Sequence, residues 1–139
     1  MNQIKPPKAR IKELPLLYAP KEYWALSEDE RKCIANGCGT KGICGWIVPD
    51  TIWGLNIAGA CNIHDFMYFM GETEEDKIEA DQTFLNNMLR LIEENTKWNW
   101  FKKLRARRAQ TYFFFVDEYG GPAFWAGKNS LENLGMAQT

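Results

Sequence analysis

Histidine is almost missing from this chain: one residue, His64, stands among 139. Chemistry that takes and returns a proton near neutral pH falls by default to that side chain, because an unperturbed imidazole titrates near pH 6.5 and the common alternatives do not. Cysteine is scarce as well, at four. Cys33, Cys38, Cys44 and Cys61 lack the paired Cys-x-x-Cys knuckles that make zinc motifs specific, and their spacing leaves all three complete disulfide pairings open. No run of eighteen apolar residues occurs, and no basic-then-apolar leader ends in small residues, so neither a membrane span nor a cleavable signal is expected. Internal repeats and low-complexity runs are also lacking. Net charge is only −1, which excludes a globally basic protein.

What is present suits one domain. An apolar fraction of 45% over this length supplies a core without disulfide support. Pro6, Pro7, Pro15 and Pro20 sit among basic residues near the start, so 1–26 reads as an extended Pro-rich arm and 27–139 as a single domain.

The sequence from Ala60 to Phe84 organises the domain. In a helix, Cys61, His64 and Tyr68 share one face, while Asp65 lies about 100° round and points elsewhere. Gly71 suits a left-handed helix end, and Thr73-Glu74-Glu75-Asp76 reads as a capping box that opens the next helix. The turn is then centred between Glu72 and Thr73. His64 and Asp81 are equally distant from that centre, so an antiparallel helix pair of equal rise brings them to one height. A buried carboxylate facing imidazole holds its tautomer and orientation, as a general base requires.

His64-Asp65-x-x-Tyr68 followed by Ala80-Asp81-Gln82-x-Phe84 resembles the secreted phospholipase A2 superfamily, and the second motif is worded most like the branch found in parvovirus capsid proteins. The resemblance reaches back to Asn36-Gly37-Cys38-Gly39-Thr40-Lys41-Gly42, where the family carries a glycine-rich calcium loop; Lys41 stands where a glycine is usual. It implies a mainly α, phospholipase A2-like fold with a central antiparallel helix pair. It further implies Ca2+ held by Asp65 and by carbonyls near Gly39 and Gly42, with Tyr68 bonded into the aspartate network. Calcium accepts such oxygens readily, and glycine permits the wrap. The implied activity is calcium-dependent hydrolysis of the sn-2 ester of glycerophospholipids, with His64 and Asp81 as the dyad. A catalytically silent lipid-binding module on the same scaffold is the alternative. The resemblance also favours a Cys38–Cys61 disulfide, whereas Met67 and Ala80 occupy positions where such enzymes tie the helix pair with cysteines.

The other segments carry coarser expectations. Ser27-Glu28-Asp29-Glu30 is a second capping box, opening a helix that Asn36-Gly37 would close. From Ile43 to Gly59, Trp46, Ile47, Val48, Trp53, Leu55 and Ile57 fit either buried packing or a membrane-contacting flap. A helix from Glu74 toward Glu94 carries Ile78, Leu85, Met88, Leu89 and Ile92 as its apolar stripe. Then the charge changes sign: Lys97, Lys102, Lys103, Arg105, Arg107 and Arg108 interleave with Trp98, Trp100, Phe101 and Leu104, without one acid. Such a segment fits an anionic phospholipid membrane surface as partner, or a solvated helix with its tryptophans packed inward; nucleic acid is not expected. The tail from Tyr112 to Trp125, with Phe113-Phe114-Phe115, reads as a buried helix end and an irregular closing segment.

Overall fold

The computed structural model describes residues 16–35, 48–126 and 128. It is mainly helical, in the order α1 (Lys21–Trp24), α2 (Glu28–Ala35), a hairpin of β1 (Thr51–Ile52) and β2 (Leu55–Asn56), α3 (Ala58–Met70), α4 (Glu74–Asn95), α5 (Asn99–Tyr119) and α6 (Gly121–Trp125).

Both capping boxes form. Thr73 Oγ1 accepts from the Asp76 amide at 3.1 Å while Asp76 Oδ2 accepts from the Thr73 amide, so α4 starts where two orphan donors are satisfied reciprocally. Ser27 and Glu30 do the same for α2. Gly71, however, is extended rather than left-handed, at φ −70° and ψ 153°. Space is what excludes a side chain there, because a Cβ would come within 2.7 Å of the Phe124 ring.

The three-residue turn after Met70 folds α4 back antiparallel on α3, and Thr96-Lys97-Trp98 folds α5 back on α4. Two buried cations join these layers. Lys77, early in α4, reaches the carbonyls of Val116 and Asp117 late in α5, at 3.3 and 3.2 Å. Arg105, near the start of α5, donates to Thr96 Oγ1 and to the Trp53 carbonyl, each at 2.8 Å.

The second of these bonds also anchors the hairpin. Trp53 and Gly54 have φ of 44° and 81°, the pair of positive values that a two-residue turn of primed type demands. Gly54 adopts this freely; Trp53 does so against steric cost, held by Arg105 at its carbonyl and by the Arg108 guanidinium 4.6 Å above its ring. Tyr112 adds a bond from its hydroxyl to the Thr51 carbonyl. Val48, Ile52 and Ile57 are buried, so the described part of this region is packed, with Trp53 exposed at its tip. Trp46 and Ile47 lie outside the described residues.

The core lies between α3, α4 and α5, around Ile63, Phe66, Phe84, Met88, Ala109, Val116 and Phe124. The inner face of α4 differs from the expected stripe. Ile78 is exposed, whereas Lys77, Asp81 and Asn87 turn inward beside Ala80, Phe84, Met88 and Ile92. Asn87 has a structural use: its side-chain amide both donates to and accepts from the Tyr18 backbone, at 2.8 Å each way. The end of the arm is thereby pinned across α4. Residues 21–24 are helical rather than extended, and residues 1–15 lie outside the described set.

The tail departs from expectation too. α5 continues to Tyr119 with Tyr112 and Val116 inward, but Phe114, Phe115 and Tyr119 are exposed. What closes the domain is α6, whose Phe124 packs edge-on against Tyr68 at 5.1 Å between ring centres.

Candidate active site

Thirteen residues of α3 and the first two turns of α4 carry the candidate site. His64 is wholly buried, and its Nε2 lies 2.8 Å from Asp81 Oδ1. The equal spacing of the two residues about the turn accounts for the meeting. Tyr68, one turn along α3, donates its hydroxyl to the same Oδ1 at 2.7 Å.

The other carboxylate oxygen is taken by a residue that the sequence motifs do not single out. Lys77 Nζ donates to Asp81 Oδ2 at 2.8 Å from one turn earlier on α4, with both side chains buried. The i, i+4 spacing is visible in the sequence, but a lysine at such a position is ordinarily solvated. Here the ammonium has three oxygen partners, namely Asp81 and the two carbonyls at the end of α5. Phe84 also proves to be a site residue rather than motif wording alone; it stacks on the imidazole at 4.7 Å between ring centres, while Tyr68 flanks it at 4.3 Å.

The electrostatics of Asp81 follow from these partners. Burial alone would raise its carboxyl, yet the hydrogen bonds from His64, Lys77 and Tyr68 hold it below the ordinary aspartate value. Asp81 is therefore an anion at neutral pH, able only to accept. The proton between the two groups then belongs to His64 Nε2, which leaves Nδ1 as the bare lone pair. Nδ1 has no hydrogen-bond partner among the described residues, although it is buried. A buried basic nitrogen, oriented from behind and unengaged in front, is equipped to take a proton from a bound donor.

Asp65, the next residue on α3 and so about 100° round the helix, is also buried. Its carboxylate helps raise the Tyr23 phenol, where burial is the main cause and Arg31 acts in the opposite sense. Base and carboxylate are thus separated by the helix turn, as their adjacency requires.

No group of three or more His, Cys, Asp and Glu among the described residues could hold a metal. The carboxylate of Asp65 is a hard oxygen donor of the kind calcium takes, and such a site calls for carbonyl donors to complete the shell. Gly39 and Gly42, the expected sources, lie outside the described residues, as do Lys41 and Cys44. Cys61 is buried and forms no disulfide among the described residues, and Cys38, its expected partner, lies outside them. Zinc likewise finds no ligand set among the described residues. Met67 and Ala80 are both buried in the core.

The chain matches no protein-family model, no curated protein and no solved structure.

Proposed function

We propose that this protein is a calcium-dependent hydrolase of the sn-2 ester of glycerophospholipids, built on a phospholipase A2-like helix pair. The observation that carries this reading is the buried His64–Asp81 pair with Nδ1 left unengaged among the described residues.

In this reading a water at Nδ1 gives up a proton as its oxygen bonds to the ester carbonyl carbon. Asp81, kept anionic, stabilises the imidazolium that results, and Tyr68 and Lys77 keep the carboxylate from turning. Collapse of the tetrahedral species breaks the bond between the carbonyl carbon and the sn-2 oxygen. The imidazolium returns its proton to that oxygen, releasing a lysophospholipid and a fatty acid. Asp65 and carbonyls of the loop containing Gly39 and Gly42 would hold the calcium. When bound, the ion supplies Lewis-acid polarisation of the ester carbonyl and a counter-charge for the oxyanion.

Fatty-acid release from phospholipid vesicles, compared with calcium and with a chelator, tests the proposal. Release should require calcium and should be lost in Asp65→Asn, because one carboxylate would anchor a site of otherwise neutral oxygens. Equal release in chelator would overturn the calcium assignment.

A second reading has one observation in its favour. His64 and Asp81 have no exposed surface, so the same network can serve as a buried polar core in a lipid-binding module without turnover. Vesicle binding without fatty-acid release, under any calcium concentration, would select it.

A further inference from the structure

The outer face of α5 carries a combination of rings and cations that no other described residue covers. Trp98 and Trp100 are 59% and 65% exposed, stacked at 6.5 Å and 20° between ring planes. Trp100, Lys103 and Arg107 follow at helical positions i, i+3 and i+7, so they form one stripe along the solvent side, with Lys97 exposed just before the helix.

Three of the six basic residues do not belong to this stripe. Arg105 is buried under Phe101 and bonded to Thr96 and Trp53, Arg108 lies over the Trp53 ring, and Lys102 pairs with Glu93 at 2.8 Å. The remaining three, Lys97, Lys103 and Arg107, have no acidic residue between them in sequence. The tryptophans do not pack inward, contrary to what a purely solvated helix would do with them.

We propose that this face docks on an anionic lipid bilayer, with Trp98 and Trp100 entering the headgroup region and Lys97, Lys103 and Arg107 facing the lipid charge. Indole suits that depth, because its ring is apolar and its N–H can still bond to headgroups or water. Charge complementarity selects an anionic surface over a neutral one. Two neighbouring exposed indoles beside three cations favour a bilayer over nucleic acid, whose phosphate spacing rewards more extensive basic patches. Asp117 and Glu118 lie exposed at the far end of α5, so contact is confined to its first half. This docking does not depend on hydrolysis.

Co-sedimentation of the full chain with vesicles tests the proposal, with a chelator present so that lipid is not consumed. Phosphatidylcholine vesicles with and without phosphatidylserine are compared at low and raised salt. Binding should require phosphatidylserine and weaken as salt rises. At roughly fivefold per cation near an anionic surface, the combined Lys97→Gln, Lys103→Gln and Arg107→Gln variant should lose on the order of a hundredfold in affinity. Trp98→Ala with Trp100→Ala should also weaken binding and abolish the blue shift of tryptophan emission on adding vesicles. These side chains are exposed, so unchanged circular dichroism is expected in every variant.

Wild-type protein that ignores phosphatidylserine, or variants that bind like wild type, would overturn the proposal. Two further results would also overturn it. One is displacement of the protein from vesicles by an oligonucleotide that the same variants no longer bind. The other is a wild-type dimer that Trp98→Ala with Trp100→Ala dissociates, since the face would then join two copies of the chain. Docking that persists in His64→Ala would show that this surface acts independently of the catalytic base.

Discussion

Between α3 and α4 polar groups are buried and paired, while on the outer face of α5 apolar rings are exposed and unpaired; each region reverses the ordinary placement of its residue types. The first reversal is compensated locally. Asp81 has three donors, Lys77 has three acceptors and His64 is stacked on Phe84 with the Tyr68 ring tilted beside it. The second has no such compensation among the described residues: Trp98 and Trp100 stack on one another, with Phe101 beside Trp100, and most of their surface meets water. A buried polar network can be retained for rigidity or for chemistry, but exposed tryptophans add nothing to folding. The contrast therefore separates polar groups that the fold compensates from rings that it leaves in water.

Breaking the buried network should have the largest effect on stability. Asp81→Ala leaves the Lys77 ammonium buried without its counter-charge, a change that typically costs about 3–5 kcal/mol. Chemical denaturation of the two proteins at neutral pH measures it. The pH dependence has a definite sign. Asp81 is held below its unfolded value, so its contribution is complete above about pH 3.9 and disappears as the pH falls through the lower native value. The stability gap between wild type and Asp81→Asn should therefore close in acid; a gap that widened there would contradict the pairing.

Lys77→Met should have an intermediate effect. It removes the charge-assisted bond to Asp81 and the weaker bonds to the Val116 and Asp117 carbonyls but leaves those from His64 and Tyr68 to Asp81, so a loss of about 1.5–3 kcal/mol is expected. Equal losses in Lys77→Met and Asp81→Ala would mean that the lysine, rather than the dyad, organises the network.

At the other end of the scale, Trp100→Ala should change folding stability by no more than about 0.5 kcal/mol. A loss of several kcal/mol would show that the ring is part of the core and would erase the contrast between the two regions.

The two regions are not equally legible in the sequence. His64 and Asp81 can be paired from spacing alone, because two helices of equal rise joined by a short turn leave little freedom of register. Thr73 to Asp76 and Ser27 to Glu30 are legible for a similar reason, since a capping box is closed by neighbours in the chain. Lys77 is not, because its burial depends on the Val116 and Asp117 carbonyls some forty positions away. Ile78 and Lys77 exchange roles for the same cause: hydropathy orders residues by cost of burial, and pairing lowers that cost for a lysine. Sequence suggests a left-handed Gly71, but the Phe124 ring is what requires a glycine there. Composition places Phe114 and Phe115 inside, whereas the inner face of α5 is already filled by Arg105, Ala109, Tyr112 and Val116. The mainly helical class is therefore readable, the turn-centred pair readily so, and the buried cations only from the fold.

The central claim is that the buried pair is there for chemistry, with His64 Nδ1 as the base. Its most direct test is fatty-acid release by His64→Ala beside wild type, on the same vesicles with calcium present and with circular dichroism on both proteins. If Nδ1 is the base, helical content should stay close to wild type while turnover falls by about 10² to 10⁴, the usual contribution of a general base. Turnover near the wild-type level in folded His64→Ala would contradict it.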